Sequence, residues 1–275
     1  MIFHKCHGAG NDFLVADNRD GHIRLDSGAV RRLCDRHTGF GADGLMLLEG
    51  SGMHDFRMVF YNPDGSTGMM CGNGGRCIVA FAALLGLGHF TFEAADGLHE
   101  ASVVSRDGDR FVIRLKMKDV SRIDEYGDGC FLDTGTRHFV RFVDDVEKTD
   151  VASLGPRLRH DSRFAPQGTN VNFVSRDASS IRVRTFEKGV EGETLACGTG
   201  IVASAIASWY KGVYVESEAP GRASSESAPV TVPVRARIAP LKVSFTPCGG
   251  EFRDIWLEGP AEFVGTVDAS ESMFI

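Results

Sequence analysis

The chain has 275 residues, of which 43% are hydrophobic and 24% charged, and its formal net charge is −7. That length favours two domains of ordinary size, and the composition is that of a folded globular protein rather than a disordered one. Arg and Lys are scattered, leaving no electrostatic footprint for nucleic acid, and no stretch reaches the ~20 apolar residues of a membrane-spanning helix.

The N-terminal run MIFHKCHGAGNDF turns polar early and lacks the apolar core of a secretory signal, so a cytoplasmic protein is expected. Residues 26–39 carry Val30, Leu33, Cys34 and His37 at helical spacing, which predicts an amphipathic helix capped by Asp26-Ser27 and stopped at Gly39. Arg31 and Arg32 belong to its solvated face. Gly39-Phe40-Gly41-Ala42-Asp43-Gly44 formally fits the dinucleotide pattern GxGxxG, but that pattern needs a strand before it and a helix after it. Here a helix precedes and 45–48 reads as a strand, so no nucleotide site is expected.

Short alternating runs follow. Residues 101–105 and 111–117 flank Asp107-Gly108-Asp109 as a hairpin, and 181–186 alternates Ile181 and Val183 with Arg182 and Arg184. The segment 216–229, ESEAPGRASSESAP, reads as a solvent-facing loop. Strand patterning resumes over 230–238 and 241–245, where Pro233 argues for an edge or an irregularity.

Cys6, Cys34, Cys71, Cys77, Cys130, Cys197 and Cys248 form an odd set with no CxxC pair. Free thiols are expected, with neither a disulfide framework nor a zinc site. Five of them read as small buried hydrophobes. The other two head a weak internal repeat: Cys71-Gly72-Asn73-Gly74 precedes the apolar run 78–87, and Cys197-Gly198-Thr199-Gly200 precedes the apolar run 201–209. Each unit is a thiol, a glycine turn and a largely buried helix.

A helix start has backbone N–H groups without internal partners and a dipole that favours negative charge. Each unit therefore offers a carboxylate site and, beside it, a thiol expected to ionise below the ~8.5 of a free cysteine. Two such units suit the inversion of a stereocentre, which needs a base on one face and an acid on the other. The carbanion formed at the α-carbon would be stabilised by N–H groups aimed at its carboxylate. Neither pyridoxal phosphate nor metal is needed for that chemistry.

Four co-linear motifs carry a family resemblance: His7-Gly8-Ala9-Gly10-Asn11-Asp12-Phe13, Tyr61-Asn62-Pro63-Asp64-Gly65-Ser66, Cys71-Gly72-Asn73-Gly74-Gly75-Arg76-Cys77 and Glu193-Thr194-Leu195-Ala196-Cys197-Gly198-Thr199-Gly200. Together they resemble the diaminopimelate epimerases. The resemblance implies an α+β fold of two pseudo-symmetric domains, each a mixed β-sheet or barrel wrapped around a central helix, with the active site in the cleft between them. The first domain would span 1–117 and take back a C-terminal strand at about 262–275, and the second would span 118–261. Cys71 and Cys197 would be the catalytic base and acid, acting without a cofactor. Gly72, Asn73, Gly198 and Thr199 would donate to the reacting carboxylate. Asn11, Asn62, Thr136, Asn170, Glu187 and Lys188 would hold the rest of the substrate, with Phe13 and His138 behind them. The partner implied is a small-molecule amino acid, with a homodimer as the assembly and neither nucleic acid nor membrane.

Three positions depart from the family's commonest pattern. Gly135-Thr136-Arg137-His138 stands where Gly-Asn-Pro-His is usual, Glu187-Lys188-Gly189 stands where Glu-Arg-Gly is usual, and the loop up to Thr194 is one residue longer. Lys lacks the planar two-bond fork that Arg gives a carboxylate. These changes touch the distal end of the substrate, so a racemase of another amino acid, such as histidine, is the nearest alternative. A binding protein without turnover and a thiol-redox protein are the others. Asn62 before Pro63-Asp64-Gly65 also fits a plain turn residue, His138 fits either an acid–base helper or a structural histidine, and His4, His7 and His160 read as structural.

Overall fold

The computed structural model describes residues 1–214 and 228–274, which form two compact units: 1–115 with 259–275, and 116–258. The sequence boundaries of 117 and 261 thus compare with divisions after Leu115 and Glu258. The segment 216–229 read as a loop lies, except for its last two residues, outside the described residues.

In the first unit the strands are β1 (Ile2–Gly8), β2 (Asn11–Asn18), β3 (Gly44–Glu49), β4 (Phe56–Tyr61), β5 (Thr91–Ala94), β6 (Gly97–Asp107) and β7 (Arg110–Lys116), with helices α1 (Ser27–Cys34) and α2 (Gly72–Leu84). In the second they are β8 (Asp124–Tyr126), β9 (Gly129–Asp133), β10 (Arg137–Phe142), β11 (Asn170–Asp177), β12 (Ser180–Glu187), β13 (Gly192–Thr194), β14 (Val230–Arg235) and β15 (Pro240–Cys248), with α3 (Val151–Arg159) and α4 (Gly198–Tyr210). The long strand β16 (Glu251–Asp268) serves both: up to Glu258 it pairs with β15, and from Gly259 onward with β7 and β1.

The first unit is a closed barrel, since β1 to β7 pair in sequence order and β16 joins β7 back to β1. Its axis is α2, whose residues from Gly72 to Ala82 are all buried. Apart from Asn73 and Arg76 its side chains are small or apolar on every side, and such a helix is stable only when surrounded. Strand β2 is buried on both faces because Leu14 and Ala16 pack with Val30, Leu33 and Cys34 of α1, while the alternating Phe13 and Val15 point the other way. The second unit runs β8-β9-β10-β11-β12-β14-β15-β16, with β13 on the side of β12, and wraps α4 in the same manner. A bridge from Val120 to Phe252 ties its first residues to β16. Helix α3 closes a separate core of Phe139, Val151, Phe164, Phe173 and Phe186. The fold is therefore mixed α+β, as expected. Among the described residues no helix is long and apolar enough to cross a membrane.

Three local expectations need correction. Helix α1 starts at its Asp26 cap, which accepts from Ala29 N–H at 2.7 Å, but it ends at Cys34 and not at Gly39. Asp35 turns extended because its carboxylate accepts from the N–H groups of His37 and Thr38 at 2.8 and 2.6 Å, and that local bond competes with the helix. His37 lies beyond the helix, and Gly39 is needed for space: a Cβ there would run into the Arg32 carbonyl. Cys248, read as buried, is exposed, because it ends β15 at the Gly249-Gly250 turn. Of the two readings of Pro233, the edge strand is overturned and the irregularity holds. Strand β14 lies between β12 and β15, but its pairing with β12 involves only Val234 and Arg235, so the missing N–H of Pro233 falls where that ladder is absent.

Candidate active site

In the first unit Cys71 is the N-cap of α2, with extended φ −113° and ψ 155°. Its Sγ accepts from Gly74 N–H at 3.3 Å, the bond a Ser or Asp cap would otherwise make. Gly72 and Asn73 follow as the first helical residues, where N–H groups have no partner within the helix. Asn73 is 4% exposed, and its side chain bridges two neighbours: Nδ2 donates to Asn11 Oδ1 at 3.4 Å, and Oδ1 accepts from Arg76 Nη2 at 2.7 Å. Asn11 in turn donates to Asp43 at 2.7 Å, and Arg36 clamps both Asp43 and Asp12. Burial pushes the Asp12 carboxyl up, but its bonds to Arg36 and Lys5 outweigh that and hold it at about 2.

Asn11, Asn73 and Cys71 are thus brought together at the mouth of α2. Asn62 is not bonded to them. It closes the turn after β4, with its main-chain N–H on Ser66 O at 2.8 Å and its side-chain amide on Ser66 Oγ at 3.0 Å. Phe13 is buried and meets Phe60 edge-on at 6.0 Å, a packing role behind β2.

In the second unit Cys197 is the N-cap of α4, and its Sγ lies 3.5 Å from Thr199 Oγ1. Thr199 Oγ1 is 2.9 Å from His138 Nε2 and 3.1 Å from Thr136 Oγ1, which is itself 2.9 Å from the same ring nitrogen. On its other side His138 Nδ1 accepts from Asn172 Nδ2 at 3.1 Å, so Nε2 carries the hydrogen and donates to the threonine hydroxyls. The Asn172 orientation is fixed because its Oδ1 takes the Thr185 hydroxyl at 2.9 Å. Burial holds the His138 imidazole at about 3, so it is neutral and serves as a donor in this chain of hydroxyls rather than as a cation.

Asn170, in register with His138 across β10 and β11, donates to Arg137 O at 2.9 Å and accepts from Lys188 N–H at 2.8 Å. It therefore sets the course of the chain after β12. Burial raises the Glu187 carboxyl above its ordinary range. The Lys188 side chain is exposed, and among the described residues its ammonium has no carboxylate partner. Thr136, Asn170, Thr199 and Cys197 thus share one end of α4, with Glu187 and Lys188 on the strand end beside them.

The same device appears in both units: a thiol at an N-cap, small residues after it, and a helix buried behind it. The model of the diaminopimelate epimerase family matches residues 3–123 and 130–235. The chain belongs to the diaminopimelate epimerase family. It is similar to the diaminopimelate epimerase of Flavobacterium psychrophilum, 41% identical over 268 residues that cover 96% of this chain and 98% of that one. With that of Chlorobaculum tepidum it is 42% identical, covering 94% and 98%. Among solved structures, a phenazine biosynthesis protein of the PhzF family from Bacillus anthracis shares the fold at a TM-score of 0.72 and 14% identity, covering 98% and 99%. A hydroxyproline epimerase from Agrobacterium vitis shares it at 0.64 and 16%, covering 97% and 91%.

Within this family fold two polar residues near the thiols escaped the sequence reading. Asn172 had a signal, since it lies two residues from Asn170 on the same face of β11. Arg76 had a stronger one: it is a lone charge inside a helix otherwise made of small and apolar residues.

Proposed function

We propose that this chain interconverts LL- and meso-diaminopimelate without an added cofactor, with Cys71 and Cys197 carrying protons on opposite faces of the α-carbon. The observation that carries this is the shared placement of the two thiols, each at the N-cap of a buried helix in a member of the diaminopimelate epimerase family. One thiolate takes the α-proton, the electron pair left on carbon spreads into the carboxylate, and the other thiol returns a proton from the far side. The net change is inversion, with one thiol and one thiolate exchanged. N–H groups of Gly72 and Asn73 on one helix, and of Gly198 and Thr199 on the other, would receive the carboxylate as its charge grows.

Asn11 and Asn73 support a substrate amino or carboxylate group beside Cys71. Asn170 and Glu187 support the same at the other helix, and Lys188 supplies a charge for the distal carboxylate. Thr136 has its hydroxyl engaged with His138 and Thr199, so in this reading it orders the turn before α4 rather than reaching for substrate. A mechanism with two free thiols needs a reducing compartment, and the cytoplasm is the setting proposed.

The test is proton NMR of diaminopimelate in D₂O with the purified protein and nothing added. Loss of the α-proton signal with equilibration of the LL and meso forms is expected. A protein that leaves diaminopimelate untouched while exchanging the α-proton of a shorter amino acid would instead be a racemase on the same fold.

A further inference from the structure

Arg76 is fully buried, with 0% exposure. Its Nε donates to Pro260 O at 3.2 Å, Nη1 to Gly72 O at 3.0 Å and Nη2 to Asn73 Oδ1 at 2.7 Å. All three acceptors are neutral, and among the described residues no carboxylate pairs with it. Packing is tight as well: a Cβ at Gly8 of β1 would stand 3.3 Å from Nη2. A buried guanidinium held only by neutral groups is a costly arrangement for stability alone. It becomes favourable when an anion forms nearby: the adjacent Cys77 and then Cys71 are the thiols that attract this guanidinium, and of the two Cys71 caps the turn whose Gly72 carbonyl and Asn73 side chain the guanidinium holds.

We propose that Arg76 is a positioning residue for Cys71, its buried charge acting as the counter-ion that stabilises the thiolate while its three bonds lock the first turn of α2. The proposal rests on the reading of Cys71 as a proton carrier. Other charged and titratable groups lie on or beside the strands packed against α2. Lys5 and Asp12 from β1 and β2 are paired with each other, and Cys6 and Cys77 are buried thiols in mutual contact. Asp96, before β6, accepts from Met70 N–H at 3.3 Å and from His99 at 3.2 Å. Arg76 is the cation buried under the turn. Lys in its place would keep the charge but not the three divergent donors.

The experiment is the pH dependence of iodoacetamide alkylation at Cys71, followed by peptide mass mapping of the intact protein, in wild type, Arg76→Lys and Arg76→Met. Circular dichroism establishes that each is folded. Arg76→Met is expected to move the alkylation midpoint up by about one pH unit or more, a roughly tenfold loss of thiolate at fixed pH, and Arg76→Lys by much less. If Arg76→Met does not fold, Arg76→Gln, neutral but still a donor, makes the same comparison. A folded neutral variant with the wild-type midpoint overturns the proposal, and so does Arg76→Lys shifted as far as the neutral variants. Alkylation needs no substrate. If wild type fails to exchange the α-proton of diaminopimelate, the proposed function falls while the midpoints still decide the role of Arg76.

Discussion

Gly74 and Gly200 occupy the same place in the two thiol turns, yet an added methyl group would meet different neighbours. At Gly74 a Cβ would lie 3.3 Å from Cys71 Sγ, 3.4 Å from Met46 Sδ and 3.5 Å from Met58 Cε. Two of these belong to flexible thioether side chains, which adapt readily. At Gly200 it would overlap Asn172 Oδ1 and stand 3.3 Å from His138 Cε1. Asn172 is fully buried and cannot swing away without giving up the Thr185 hydroxyl and His138 Nδ1. Each orphaned group costs about 1–3 kcal/mol, against a gain of about 1 kcal/mol for Ala over Gly in a helix. Gly200→Ala should therefore lose about 1–5 kcal/mol and melt several degrees lower, whereas Gly74→Ala should stay within about 1 kcal/mol of wild type. Urea titrations followed by circular dichroism, compared at constant m value, measure both. Gly200→Ala as stable as wild type, or Gly74→Ala as the more damaging change, would refute the account of the Asn172 network.

Cys71→Ala and Cys197→Ala should each abolish epimerisation of diaminopimelate with the fold retained, and more than a few per cent residual turnover in either would count against two proton carriers. Lys188→Ala should raise KM for diaminopimelate by ~10-fold, on the scale of a charge-assisted hydrogen bond of ~1.5–3 kcal/mol, with a smaller change in kcat, while Lys188→Arg keeps or lowers KM. An unchanged KM in Lys188→Ala would remove the cation from the site. Burial holds His138 at about 3, below the ~6.5 of an unfolded histidine, so the unfolded chain binds the proton first. Its contribution to stability is complete above pH ~6.5 and is lost as pH falls towards 3. The urea midpoint of wild type should drop over that interval more steeply than that of His138→Gln, and a ring proton of His138 titrating near pH 6.5 in the folded protein would contradict this.

Much of the candidate site was legible because its signals are local. A thiol, a run of glycines and then ten or so apolar residues specify a helix start within a residue or two, and Cys71 and Cys197 are indeed the N-caps of α2 and α4. The hairpin at 107–109 and the strand at 45–48 were legible for the same reason, since turn chemistry and alternation act over a few residues. Helix α3 was not, because Gly155 and Pro156 interrupt its pattern, and docking against β11, β12 and β13 compensates for that weak propensity. The end of α1 was missed because Asp35 chooses a side-chain turn over one more helical bond, a contest of about 1 kcal/mol that periodicity does not register.

What only the tertiary structure decided is which distant groups meet. The Arg76 guanidinium is buried because Pro260, 184 residues later, brings a carbonyl to it from β16. His138 is neutral because burial removes it from water, and Asn172, Thr136 and Thr199, on three different segments, occupy both its ring nitrogens. Strand β16 changes neighbours between Glu258 and Gly259, pairing with β15 before that point and with β7 after it. Sequence patterns fix a residue's local geometry and the face it presents. Its charge state and hydrogen-bond partners depend on how completely other parts of the chain exclude water from it, and that exclusion exists only once the barrel has closed around α2 and the second sheet has wrapped α4.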